Sequence, residues 1–306
     1  MPADPPLRGI KARVAQVRVR LSLWFDELSA HEGRPSIPPG QLPKGRILRA
    51  LSADVAKLFF VEGYDLSRQA GWTSDQPFTA EGTRVEAWAR RKRFVRKDGT
   101  DRHKIASVQD DDPGHPTVNF HGEQRRNAPH PSTTDPEGVL GRKAQGQASK
   151  LCFGTQVLME NRHGLCAAIT VHNPIAQDEP TVALAQVDEH RELHEARITT
   201  LGADKAYHQK KFVAGCRERE TAPHAACKDR IQVPGLDGRT TGRAGYRTSQ
   251  RIRKRVEEIF GWMKTVGGLR RSRYRGVERT QAWAYFVAGA YNLLRIANLG
   301  LSLQAG

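Results

Sequence analysis

The stretch from Gln250 to Lys264, QRIRKRVEEIFGWMK, constrains the fold more than any other part of the chain. Ile252, Val256, Ile259, Phe260 and Met263 recur at three- and four-residue steps, the spacing of one apolar stripe on a single helix. A turn of about 100° per residue brings Arg253, Glu257 and Lys264 within about 40° of one another beside that stripe, while Glu258 falls well away. Such a helix needs an apolar surface to receive its stripe, and it holds one carboxylate between two cations at the edge of the contact. A solvated basic helix with ion pairs at helical spacing carries the same pattern. The stretch alone leaves both readings open.

The rest of the chain narrows them. With 306 residues and a hydrophobic share of 38%, there is material for one large core or two ordinary ones. Lysine and arginine number 49 against 33 acids, a net charge of +16. That excess is an argument about partners: nucleic acid first, an anionic membrane second. No apolar run approaches the ~20 residues of a membrane span. The opening Met1-Pro2-Ala3-Asp4-Pro5-Pro6 is no signal peptide. A cytoplasmic, nucleoid-associated protein is expected. Cys152, Cys166, Cys216 and Cys227 lack any Cys-x2-Cys spacing and read as reduced thiols.

Residues 6–31 fit a basic amphipathic helix, 33–40 a proline-rich loop, and Leu48, Leu51, Val55, Leu58 and Phe59 mark a second helix. Residues 1–76 therefore read as a small helical N-terminal region, either a packed hairpin or a DNA-end binder. From residue 77 to 306 the pattern is that of a second unit. A strand is expected from Phe78 toward Trp88. A polar insertion follows at about 97–150, whose His103, His115, His121 and His130 lack ligand spacing. Strands at Leu151–Met159 and Leu165–His172 flank the turn signal Asn161-Arg162-His163-Gly164, which makes a hairpin. Then come a helix over Thr181–Leu193, a short strand from Ile198 ending at Asp204, a helix near 207–219, and a strand over Thr221–Cys227. A polar loop over 228–246, the helix described first, closed by Gly267 and Gly268, and a last helix over Glu278–Asn298 complete the order. This is an α/β chain: a mixed sheet with helices on its faces.

Three acids stand out: Glu81 on the first strand, Asp204 at the end of another, and Glu257 on the long helix. Acids at adjacent strand ends and on a packed helix can converge from far apart in sequence. Oxygen ligands of this kind suit Mg²⁺, and two such ions about 3.5–4 Å apart serve phosphodiester chemistry. From spacing alone, the ordinary strand-end and surface reading of these acids is the stronger one.

A resemblance decides between these. The chain is similar to bacterial insertion-sequence transposases of the DDE type, in the group named after insertion sequence five. The residues that carry it are Phe78-Thr79-Ala80-Glu81-Gly82-Thr83 with Glu86-Ala87-Trp88-Ala89, Val118 to Glu123, Ser132 to Glu137, Leu201-Gly202-Ala203-Asp204-Lys205-Ala206-Tyr207, Ser249 to Thr265, and Ala290 to Arg295. The resemblance implies a ribonuclease-H-like fold. It makes Glu81, Asp204 and Glu257 the catalytic, metal-binding acids, holding two Mg²⁺ or Mn²⁺ ions. The family spacing Tyr-x2-Arg-x3-Glu-x6-Lys is met by Arg253, Glu257 and Lys264, with Gln250 where the tyrosine would be. Arg253 and Lys264 are then expected to contact DNA phosphates. The implied partners are double-stranded DNA, as terminal inverted repeats and target, and a second copy in a homodimer. The implied reaction is metal-dependent strand cleavage followed by strand transfer.

The sequence departs from the family pattern twice. Glu81 replaces an aspartate; its extra methylene predicts weakened metal binding and greatly reduced catalysis. The N-terminal region is shortened just after Pro35-Ser36-Ile37-Pro38-Pro39. A DNA-binding remnant without the chemistry, or a nuclease without strand transfer, are the rival readings.

Overall fold

The computed structural model describes residues 53–89, 132, 134–141, 149–229 and 231–304. The expected 6–31 helix, the 33–40 loop, the shortened segment after it, the four insertion histidines and Val118 to Glu123 lie outside those residues.

Six strands form one sheet: β1 (Phe78–Glu86), β2 (Val139–Gly141), β3 (Lys150–Glu160), β4 (Leu165–His172), β5 (Thr200–Ala203) and β6 (Ala222–Ala225). β3 pairs antiparallel with β1 on one side, and with β4 and then β2 on the other. β5 joins β1 in parallel, and β6 joins β5 in parallel. An antiparallel half thus meets a parallel half at β1. The helices are α1 (Ala53–Gln69), α2 (Glu179–His194), α3 (Lys210–Glu218), α4 (Gly238–Thr241), α5 (Ala244–Ile252), α6 (Val256–Thr265) and α7 (Val277–Gln304). This mixed α/β architecture is compatible with the ribonuclease-H-like expectation.

Strand alternation sends side chains to two cores. Val85, Phe153, Val157 and Met159 pack with Ile259, Phe260 and Met263 of α6 and with α7. Phe78, Ala80, Leu158 and Leu201 pack with Leu184 and Val187 of α2 and Phe212 of α3. α1 contributes Phe60 to the first core and Tyr64 to the second. The boundary placed at residue 76 therefore runs between two segments that share both cores. Ile259 is fully buried in the first. Ile259→Ala is expected to cost about 2–5 kcal/mol, read as a lower urea midpoint; a change below about 1 kcal/mol would mean that α6 does not anchor the sheet.

Two of the sequence motifs are structural clasps. Tyr291 donates to the Gly164 carbonyl at 3.0 Å, and Arg295 donates to His163 O at 2.6 Å. Asn292 both accepts from and donates to the Cys166 backbone at 2.8 Å, beside the register shift in the β3–β4 pair. The Ala290–Arg295 stretch thus fastens the hairpin turn to α7. Ser132 accepts from the Asp135 backbone at 3.2 Å. The carboxylates of Asp135 and Glu137 accept from the N–H groups of Gly276 and Val277 at 3.3 and 2.9 Å. They satisfy donors at the start of α7 that have no partner within the helix.

Several expectations need correction. The single 250–264 helix is two: α5 and α6 are joined by a 3₁₀ turn over Arg253–Arg255. The end of the polar insertion is not surface loop, since Ser132 and Asp135 are buried and β2 forms an edge strand. The 228–246 loop contains α4 and the start of α5. α2 begins earlier than Thr181 because Asp178 caps it, accepting from Thr181 N at 3.1 Å, with Pro180 in the first turn. Gly268 does close α6, at φ +69, which lets the Leu269 N–H reach the Met263 carbonyl at 2.8 Å. All four cysteines are free thiols.

β6 has one neighbour among the described residues. Ala222 and Ala226 donate to β5-side carbonyls at 2.8 and 3.0 Å, so residues of that parity face β5, while Pro223, which is buried, faces away from it.

Candidate active site

β5 pairs with β1 only through Phe78–Leu201 and Thr79–Gly202. Continuing that parallel register by two residues sets Asp204 beside Glu81, on strands about 4.8 Å apart. Past that point β1 runs on without a β5 neighbour. Asp204 leaves the strand and caps the 3₁₀ turn Lys205–Tyr207, accepting from Ala206 N at 2.6 Å. A chain ending a strand with a capping aspartate therefore presents a carboxylate at the strand's tip.

Gly202 fixes the helix that faces these acids. A Cβ there would stand 2.9 Å from Ser249 Oγ, so its absence lets α5 lie close on β5. Gln250, where the family has tyrosine, donates to the carbonyls of Ala203, at 3.4 Å, and His224, so it ties α5 to the ends of β5 and β6. Its Oε1 accepts from Arg253 Nε at 3.1 Å. Arg253 Nη1 in turn stands 3.4 Å from Glu81 Oε2. Lys264 donates to Thr83 Oγ1, two residues on from Glu81 and on the same face of β1. The two cations thus address β1 from the start and the end of the α6 segment. Glu257 lies between them in sequence and is exposed.

Electrostatics show which acids share this space. Burial pushes the Glu81 carboxyl up from its ordinary 4.5 to about 7; the Asp204 charge adds to this, Arg253 opposes it, and Glu179 and Glu257 add smaller shares. Asp204 and Glu257 therefore both lie within the field of Glu81. Glu258 turns elsewhere, 3.9 Å from Arg255. The single helix on which Glu257 was expected beside Arg253 is broken by the 3₁₀ turn over Arg253–Arg255.

Glu179 was not anticipated. It sits in the first turn of α2, and a Cβ built on Gly82 would stand 2.4 Å from its Cδ. Its carboxyl is pushed upward by burial, then by Asp204, against Arg84 and a hydrogen bond with Tyr207. The sequence signals were Gly82, directly after Glu81, and the helix start Asp178-Glu179-Pro180.

Among the described residues, no three His, Cys, Asp or Glu side chains stand close enough to hold a metal ion together. Nor is any described helix long and apolar enough to cross a membrane. Carboxylate oxygens are the donor type that suits a hard divalent cation, and the β1–β5 register aligns two of them, Glu81 and Asp204.

No curated protein and no solved structure matches the chain. A family described as a transposase DDE domain matches residues 118–293. That span leaves β1 and Glu81 outside. It takes in the strand that ends at Asp204, the capping turn, the 3₁₀ turn that carries Arg253, the helix that carries Glu257 and Lys264, and Tyr291 and Asn292 of the hairpin clasp. With more than half of its length matched, the chain belongs to the DDE-domain transposase family.

Proposed function

We propose that this chain is the transposase of a bacterial insertion sequence, in the group named after insertion sequence five. It binds the element's ends and cleaves and joins DNA at Glu81, Asp204 and Glu257. The observation that supports this most is the β1–β5 register, which continued by two residues aligns Asp204 with Glu81, and Arg253 beside α6 stands 3.4 Å from Glu81. A ribonuclease-H-like reading of the sheet rests on the same strand order.

DDE transposases use divalent metal ions. Two Mg²⁺ or Mn²⁺ ions bound by these carboxylates would activate the attacking oxygen and steady the leaving one. The chain's own residues supply the rest. Arg253, anchored through Gln250, is placed to exchange the Glu81 carboxylate for a DNA phosphate, and its planar fork suits a two-point grip. Lys264 offers a point charge beside Thr83. Water and then the freed 3′-hydroxyl are the nucleophiles, so no covalent protein–DNA intermediate is required. The net charge of +16 favours the polyanion and makes binding fall steeply with salt. A homodimer brings two element ends together.

The test is cleavage of a duplex carrying the inverted repeats that flank the gene, with Mg²⁺, with Mn²⁺ and with chelator. The protein is expected to cut only with metal, Glu81→Asp to cut faster, and Glu257→Gln to cut at least about 100-fold more slowly. Metal-independent cutting, or full activity in Glu257→Gln, would overturn the assignment.

A further inference from the structure

A basic cleft of about 490 Å³ lies at the β6 end of the sheet, within the range of about 300–1,000 Å³ usual for ligand pockets. Ala222 and His224 of β6 line it, together with Arg217 of α3 and the segment that runs from Gly235 through α4 to Arg243. Three guanidinium groups, of Arg217, Arg239 and Arg243, thus stand against one carboxylate, that of Asp237. That carboxylate is already engaged: it accepts from Arg239 Nε and Nη2 at 3.0 and 2.8 Å, and from the Arg239 backbone at 3.0 Å. Arg217 is braced, donating to Gly235 O and Thr240 Oγ1 at 3.0 Å each. Arg243 is exposed, and its side chain has no ion pair or hydrogen bond among the described residues.

The floor of the cleft carries a second, independent signal. His224 is only 6% exposed, and its Nδ1 is buried with no hydrogen-bond partner among the described residues. Tyr246 of α5 packs edge-on against the ring, 5.5 Å between centroids. Burial, and then the charge of Arg217, push the imidazole down to about 4, so it is uncharged at neutral pH. Buried polar groups are ordinarily paired, so an imidazole with an unused nitrogen on the floor of a basic cleft marks a place for a ligand oxygen. His224 also sits close to the acids. It pairs with Gly202, two residues before Asp204. Strand spacing and rise put the His224 and Asp204 Cα atoms about 8 Å apart, the axial length of roughly two nucleotides of duplex. Gln250 donates to the His224 carbonyl and accepts from Arg253, so one side chain joins the cleft floor to the cation beside Glu81.

We propose that this cleft holds a backbone phosphate of the DNA strand that reaches Asp204, gripped by Arg243 at the rim and met by the His224 imidazole on the floor. The guanidinium fork of Arg243 suits two phosphate oxygens. Arg217 is a positioning residue, since its hydrogen bonds hold the α4 segment that walls the cleft. The volume exceeds that of one phosphate and leaves room for the adjoining sugar. A free nucleotide offers the same phosphate chemistry; the nearness of Asp204 and the net charge of +16 favour the duplex. The proposal rests on the reading of the chain as a DNA-cutting enzyme, and carries its DNA contacts beyond Arg253 and Lys264 to the β6 end of the sheet.

Fluorescence anisotropy with a duplex carrying the inverted repeats that flank the gene, in chelator at pH 8, tests this without any cleavage. The proteins are the full chain, Arg243→Gln, His224→Phe and Arg279→Gln. The last removes an exposed charge of α7, outside the cleft, and gives the effect of net charge alone. Arg243→Gln is expected to weaken binding about tenfold and to reduce the slope of log affinity against log salt by about 0.9. His224→Phe removes an uncharged group, so it is expected to weaken binding about fivefold and to leave the slope as in the parent. Arg243→Gln that binds no more weakly than Arg279→Gln overturns the proposal, while a parent that binds and cuts leaves the proposed function standing. A parent that binds no duplex removes both. Thermal melts with millimolar thymidine monophosphate distinguish the source of the phosphate. A stabilisation of the parent that Arg243→Gln abolishes, with duplex binding unchanged in that variant, assigns the cleft to a free nucleotide and overturns the proposal. Should His224→Phe fail to fold, Arg243→Gln carries the decision, because its side chain is exposed and makes no cap on α5.

Discussion

Replacing Glu81 by glutamine is expected to stabilise the fold by about 3 kcal/mol at pH 8 and to leave it unchanged at pH 4. The carboxyl is lifted from 4.5 to about 7, and each unit is worth about 1.4 kcal/mol. The side chain is only 16% exposed, so solvent screening removes little of this. The sign follows from proton linkage. A carboxyl raised on folding contributes stability that is fully present below about 4.5 and lost as pH rises through about 7. Above that pH the native state carries a charge that the fold opposes, and glutamine removes it. For a domain of this size, the gain at pH 8 corresponds to a thermal midpoint about 5–10 °C higher. Thermal melts of both proteins at the two pH values decide the matter. An equal shift at both would indicate packing instead of charge. A loss at pH 8 would mean that the contact with Arg253 outweighs burial and Asp204. The same variant should lose Mn²⁺ binding, which would show a site kept at the expense of stability.

Asp204→Asn is expected to lower metal-dependent cleavage by more than about 100-fold, beyond the loss usual for a supporting partner. The fold should survive. An asparagine oxygen can still accept the Ala206 N–H, so the cap on the 3₁₀ turn is kept. Removing the charge also relieves Glu81, for which Asp204 is the largest influence after burial. The variant should therefore unfold at an equal or higher temperature at pH 8 while its chemistry is lost. Gel-resolved cleavage and a thermal melt on one preparation give both quantities. Cleavage within about tenfold of the parent would remove Asp204 from the catalytic acids.

Local patterning made much of this fold readable. The hairpin at 161–164, the strand ending at Asp204 and the apolar stripe of α6 were all visible because each is a short-range signal. Strand neighbours were not readable from spacing, because the β1–β5 register that aligns Glu81 with Asp204 depends on contacts far apart in sequence. The 3₁₀ turn at Arg253–Arg255 has no glycine or proline to mark it, which is why one helix was expected where there are two. Glu179 was missed for a different reason. In sequence it is an acid at a helix start, and only the absence of a side chain at Gly82, nearly a hundred residues earlier, gives it room over β1. The motifs at 132–137 and 290–295 carried the family resemblance, yet their side chains cap and clasp, so the polar residues there are structural.

Pro223 has a consequence for how the sheet ends. β6 turns away from β5 the one residue that has no N–H to give. Pro223, His224 and Ala225 are buried, and Tyr246 of α5 donates to the Ala225 carbonyl at 2.9 Å. The side of β6 that faces away from β5 is thus occupied by the chain's own α5, and a strand from another molecule would first have to displace that helix.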